Sequence, residues 1–412
     1  MLRRLFVLSA GLVVIAACTV DGDSDPSPVG TTPVATTEVS SEPTAVSELP
    51  GRLVVLDTDG NIVTIEPDGS DPLAVTDDAG ESARYSQPSW SPQSDRIAWA
   101  EIATTGFGVG LSDPDGEDRT TIPMSAPPFY MYWSPDGQGM GVLHNGPQGA
   151  IEFELIDVDT LTSSIVASGT PFYFSWSPDS DRVVIHVGGD TFDTIDLEGV
   201  TTDLGATGGA YQSPHWTRSG IFHLGVNGLE VRDPSGEAQI LATAPGSIAL
   251  VANQQGTRVA VRSFVPDDQG GISAALSETP ALPSNAVVVV DVASGEVSEV
   301  ISSPSIGFFW SPDGEALLVL EPTGGAAEAS VLVWQDGKTR SLSTIVPQTS
   351  FVTEVLQFFD QYSQSLQLWS PDSSAVVLVG IVDGEEGIWV QGVETGAPVK
   401  VFDGGWAAWS NR

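Results

Sequence analysis

Trp310-Ser311-Pro312-Asp313-Gly314, followed at once by the apolar run Ala316-Leu317-Leu318-Val319-Leu320, is the stretch that decides the fold. Pro presets φ for a turn and Gly accepts positive φ, so the pentapeptide joins one strand ending at Trp to a second, fully apolar strand. Trp133-Ser134-Pro135-Asp136-Gly137 repeats it in full, and Trp90, Trp176 and Trp369 each open a further Trp-Ser-Pro. Trp216-Thr217 and Trp409-Ser410 are shorter copies, and Ala252-Asn253-Gln254-Gln255-Gly256 stands in the one remaining gap, with Ala252 where Trp is expected. The marks are spaced by 43, 43, 40, 36, 58, 59 and 40 residues. A period near 40 with several short strands per unit is the signature of a β-propeller. Turns such as Asp115-Gly116, Ser235-Gly236 and Asp336-Gly337 fit a return from third to fourth strand.

Closure follows from the two ends. Phe402 to Ser410 supplies only a first strand, while Leu53-Val54-Val55-Leu56, Ile62-Val63-Thr64-Ile65 and Leu73-Ala74-Val75 supply three more. A composite blade of both termini removes exposed sheet edges. The expected fold is all-β: one propeller of eight four-stranded antiparallel blades, with seven as the alternative because of Ala252. Each Trp is expected between neighbouring blades, where its burial contributes up to roughly 4–6 kcal/mol.

These Trp-Ser-Pro-Asp-Gly turns, each leading into an apolar strand, resemble the hallmark of the TolB-like family of propellers, related in repeat to WD-type propellers. The resemblance covers residues 51–412. It implies the fold and leaves function open, since the motif is structural. Residues 19–50 are too few and too polar to supply the α/β domain that precedes the propeller in TolB, so the partners of TolB do not carry over.

The N-terminus gives an address. Arg3 and Arg4 precede an apolar run from Leu5 to Ala17, which ends in Ile15-Ala16-Ala17-Cys18. That run is short for a permanent span and right for a signal-peptide core. Its end resembles the bacterial lipobox, with Cys18, the single cysteine of the chain, as the lipidated residue. Either general or twin-arginine export fits the paired arginines. Residues 1–17 are read as a lipoprotein signal peptide, and 18–50 as the lipidated Cys and a disordered Thr/Ser/Pro/acidic tether. The tether reaches roughly 30 Å as a coil. The expected location is the bacterial cell envelope, anchored to a membrane and facing away from the cytoplasm.

Charge excludes some partners. Lys and Arg total 15 against 54 Asp and Glu, a formal net charge of −39. Such a chain repels nucleic acid and anionic lipid, which leaves a lipid chain as the means of anchoring. One cysteine permits neither an intramolecular disulfide nor a cysteine-based zinc site.

Candidate functional residues come from the two longest repeats. Pro266 to Asn285 lengthens a second-to-third-strand loop, and Pro347 to Ser365 lengthens a fourth-to-first-strand loop, on the same face of adjacent blades. Long loops on a rigid scaffold often carry function. In the second insertion Phe351, Val355, Phe358, Phe359 and Tyr362 recur at helical spacing, which suits a local cap, a lid or a docking helix. Aromatics precede the Trp marks on that face: Tyr85, Phe129, Tyr130, Phe172, Tyr173, Tyr211, Phe308 and Trp406. With Phe358 and Tyr362 they form a candidate binding face for a peptide or sugar, or else fill gaps between blades. Among four histidines, His186 and His223 occupy equivalent second-strand positions and His144 lies one position off, the sole candidates for a metal. No catalytic residue, metal or other cofactor is expected. The reading is a monomeric, non-catalytic scaffold for a protein, peptide or glycan of the envelope. The alternative is an envelope polysaccharide lyase or hydrolase with a histidine-based metal site on the propeller face.

Overall fold

The computed structural model describes residues 45–412, apart from 190, 245, 265–278, 325–326 and 395. The signal peptide, Cys18, nearly all of the tether and most of the first insertion lie outside the described residues. No helix among the described residues is long and apolar enough to cross a membrane.

The strands form six four-stranded antiparallel sheets and one seven-stranded sheet. Each sheet follows the repeat. In the unit of Trp176, Phe172–Trp176 pairs with Arg182–Val187, then with Thr191–Asp196, then with Thr201–Asp203. The seven-stranded sheet takes in two units. Lys338–Pro347, the outermost strand of the Trp310 unit, runs on far enough for Val346 and Pro347 to pair with Ile381 and Gly380 of Ala375–Val382. The first strand of that last unit is reduced to a bridge, Trp369 opposite Val376.

The first and last described strands share one sheet, as the repeat predicts. The C-terminal Gly404–Trp409 pairs antiparallel with Leu53–Asp57, placing Leu53 opposite Trp409 and Leu56 opposite Trp406. Innermost strands of neighbouring units touch, as Phe172–Trp176 does His215–Thr217 and Ala249–Ala252 does Gly307–Trp310, and Gly404–Trp409 lies against both Ala83–Trp90 and Ala375–Val382, so the composite sheet sits between the Trp90 and Trp369 units.

The turn chemistry explains the motif. In Ser134-Pro135-Asp136-Gly137 the Ser134 hydroxyl donates to Asp136 Oδ1 at 2.6 Å and accepts from the Gly139 amide at 2.8 Å. Ser311 and Asp313 repeat this bond at 2.6 Å, and Ser370 and Asp372 at 2.7 Å. Gly314 has φ +73°, and an added Cβ would strike the Gln255 side chain of the neighbouring sheet. The motif Trp side chains other than the half-buried Trp216 are buried, Trp369 and Trp409 completely. Three of them use their N–H in the same way. The indoles of Trp176, Trp310 and Trp369 donate to the carbonyls of Tyr132, Val251 and Phe309, at 3.0, 2.9 and 3.1 Å. Each acceptor immediately precedes the Trp position of the previous unit, so every such indole ties its sheet to the one before it.

Candidate functional site

The second insertion fills the centre of the ring. After Pro347 the chain makes a π-helical turn at Phe351–Val355, a 3-10 turn at Leu356–Phe358 and one α turn at Phe359–Tyr362. The aromatic spacing thus forms helix, but in three short pieces. Phe351, Val355, Phe359 and Tyr362 are buried, whereas Phe358 is 44% exposed. Elements this short are marginal alone and hold only by packing.

Polar side chains tie this plug to the innermost strands of several sheets. Gln361 acts as a surrogate strand partner: it accepts from Phe174 N at 3.1 Å and donates through Nε2 to Phe174 O at 2.8 Å. Tyr130 donates to the Gln361 carbonyl and to Ser365 Oγ, both at 3.1 Å. Ser213 N donates to Asp360 Oδ2 at 2.9 Å, and His215 Nε2 donates to the Asp360 carbonyl at 2.8 Å. Ser175 Oγ donates to Gln364 Oε1 at 2.5 Å. Phe308 packs edge-on against Phe359 with centroids 4.7 Å apart. One segment that reaches the sheets of Trp133, Trp176, Trp216 and Trp310 must lie on the ring axis.

Burial sets the electrostatics of the plug. The Asp360 carboxyl is pushed up to about 6 by loss of solvent, partly offset by the Ser213 and Gln361 amides. Burial pushes His215 down to about 4, so it is neutral, donating to Asp360 O and accepting from the Ala252 amide.

Most of the aromatic candidates therefore face protein. Tyr130 packs on Tyr362 at 5.0 Å, Phe172 on Phe153 at 5.5 Å, and Tyr173 stacks on Tyr211 at 4.9 Å. The Tyr85 hydroxyl donates to Asp78 at 2.7 Å, and Trp406 Nε1 donates to the Pro88 carbonyl at 3.0 Å. Phe308 is buried against the plug, while Phe129 and Phe358 are exposed. The structure sets Tyr130, Phe308 and Tyr362 against the plug and the Tyr173–Tyr211 stack beside its Asp360, while Tyr85 and Trp406 bond elsewhere. The described end of the first insertion lies elsewhere: Thr243, on an outermost strand, bonds through its backbone to Pro280 and Leu282.

The histidine candidates are each engaged within the fold. His144 bonds Glu154 at 3.0 Å on its own sheet. His186 Nδ1 lies 2.9 Å from the Gln212 carbonyl. His223 is held down to about 3 by burial and the Arg232 guanidinium. The Phe192 ring packs against both His186 and His223. Among the described residues no three His, Cys, Asp or Glu converge to hold a metal ion.

The open site is on the opposite face. A cavity of about 600 Å³ lies at the Trp-Ser-Pro end of the ring, with Ser363 to Gln367 of the plug along it and the turn prolines 135, 178 and 312 around it. Its walls include Trp216, Thr217 and Ala252. Among the described residues no Asp or Glu lines it, in a chain with 54 of them. The sequence held one signal for it, the missing Trp at 252, where the shortest interval between marks ends.

No protein-family model matches the chain, and no curated protein matches it. Solved structures do. An oligogalacturonate lyase from Vibrio parahaemolyticus is 12% identical, with 85% of this chain and 99% of that one covered and a TM-score of 0.52. A eukaryotic initiation factor is 14% identical, with 87% and 98% covered and a TM-score of 0.53. TolB from Acinetobacter baumannii is 17% identical with a TM-score of 0.40; the match covers 71% of this chain and 64% of the TolB chain. At such identities the likeness is one of architecture, and the architecture this chain shares with the first two is the β-propeller.

Proposed function

We propose that the protein is a lipid-anchored, extracytoplasmic binding scaffold that takes its ligand, without chemistry, in the cavity at the Trp-Ser-Pro end. One observation carries this reading. The cavity is backed by the plug and lined by no carboxylate, and its single imidazole, His215, has both nitrogens engaged in holding the fold. A carboxylate or a free imidazole, the groups that most often serve as general acid or base, is missing from the described lining. The polysaccharide-cleaving alternative keeps the shared fold, which by itself does not specify an activity. Dividing the seven-stranded sheet between its two units gives the eight-bladed count, which we adopt.

Two measurements test the reading. Cys18→Ala is expected to move the protein from the membrane pellet to the soluble fraction; unchanged sedimentation removes the lipid anchor. Incubation with envelope polysaccharide and envelope protein fractions is expected to show retention of one component with no new reducing or unsaturated ends. Release of such ends would make the protein an enzyme.

A further inference from the structure

We propose that the cavity at the Trp-Ser-Pro end is a subsite for a neutral oligosaccharide, opened by the loss of the interblade indole at Ala252. This rests on the binding-scaffold reading and names its ligand class.

The opening has a local cause. The Trp176, Trp310 and Trp369 indoles each cover the innermost strand of the previous sheet and bond the carbonyl before its Trp position. At 252 the equivalent indole would lie over His215 and Trp216. Ala252 keeps only the backbone bond from its amide to His215 Nδ1, at 3.3 Å. The cavity reaches the wall formed by Trp216, Thr217 and Ala252. Trp216 itself is only partly buried, unlike its fully packed counterparts.

The chemistry of the wall selects the ligand. Gln254, Gln367, Tyr132 and Trp216 line the cavity, and the side-chain amides of the two glutamines, the Tyr132 hydroxyl and Trp216 Nε1 have no hydrogen-bond partner among the described residues. A planar amide presents a donor beside an acceptor, which matches two adjacent hydroxyl groups on a sugar ring. The indole and phenol add flat apolar faces for the C–H faces of the ring, with a polar edge for a hydroxyl. A volume of about 600 Å³ is of the size that encloses a small ligand.

Charge then separates neutral sugars from the rest. The walls offer no carboxylate for a basic ligand, and a net charge of −39 repels an acidic polymer, against which the cavity sets only the exposed Arg218. A neutral polyol meets neither penalty. An extended peptide would call for unpaired strand backbone, but the backbone at this end is used in the Ser-Pro-Asp-Gly turns.

The experiment is calorimetric titration of the full-length protein with maltohexaose, cellohexaose and chitohexaose. Hexagalacturonate and a hexapeptide library serve as competing classes. One of the neutral hexasaccharides is expected to saturate at micromolar to millimolar concentration. Ala252→Trp, which restores the residue of the neighbouring sheets, is expected to weaken that binding by about tenfold or more while the melting temperature holds or rises. Gln254→Ala with Gln367→Ala should weaken it comparably, and this pair decides the matter should Ala252→Trp fail to fold. Absence of binding by all three neutral sugars overturns the proposal, as does binding indifferent to both variants. Binding of only hexagalacturonate or a peptide, blocked by Ala252→Trp, overturns the sugar class and leaves the scaffold standing. Release of unsaturated ends from any sugar removes the scaffold reading itself.

Discussion

Asp360 is a carboxyl buried inside the plug. Its carboxyl is wholly enclosed, beside the half-buried Tyr173 and Tyr211, and burial raises it from 3.8 to about 6. The folded state therefore holds this proton more tightly than the unfolded chain. Its stabilising effect is complete below about pH 4 and is lost as pH rises through 6, a change of about 3 kcal/mol. His215 and His223 titrate the other way, since their folded values lie below 6.5, and they favour the folded state as pH rises. Asp360→Asn keeps an oxygen for the Ser213 amide and removes the titration. Urea unfolding of wild type and variant from pH 4 to 7 is expected to show the variant gaining on wild type by roughly 2–3 kcal/mol across that range, with the histidine contributions cancelling in the difference. Parallel curves would mean that Asp360 is not desolvated as described.

Among the elements, the plug is the one whose hydrogen bonding comes from side chains. Gln361 satisfies both the N–H and the C=O of Phe174, which face the ring centre with no strand beside them. Gln361→Ala orphans two buried backbone groups at once, which costs roughly 2–4 kcal/mol. Faster amide exchange at Phe174, with the outer strands of that sheet unchanged, is the accompanying signature. A loss below about 1 kcal/mol would show that water takes over the role of the amide. The plug also marks where sequence reading stopped. The strands and turns were legible because Ser134-Pro135-Asp136-Gly137 and its copies close on themselves through bonds within five residues. The spacing of Phe351, Val355, Phe359 and Tyr362 announces an apolar face, but the same spacing serves a lid, a docking helix or a plug. What settles it is the pairing of Gln361 with Phe174 and of Ser365 with Tyr130, partners 187 and 235 residues away. The candidate aromatics suffered likewise, since their order along the chain places them near the axis without saying what already occupies it. Ala252 was visible as an irregularity, yet its meaning as an opening depends on the indoles around it.

At the scale of the whole molecule, stability rests on closure of the ring. A propeller left open exposes two sheet edges, and closure here depends on the last described strand, Gly404–Trp409, against the first described one, Leu53–Asp57. Trp409 is fully buried, and its amide donates to the Gln367 carbonyl at 2.8 Å. This one residue therefore joins the N-terminal strand to the final unit and, through Gln367, to the end of the plug. Its Nε1 has no partner among the described residues, so its contribution is packing rather than hydrogen bonding. Trp409→Ala opens a cavity at the seam and is expected to cost about 3–5 kcal/mol. Trp216→Ala, at a half-buried indole on the cavity wall, removes less packing and is expected to cost about half as much. The seam variant should also lose cooperativity, with the Leu53–Asp57 strand exchanging its amides before the central sheets do. Equal losses at the two positions, or a seam variant that unfolds in one step with uniform exchange, would show that the ring holds by the contacts between neighbouring sheets and does not depend on its fastening.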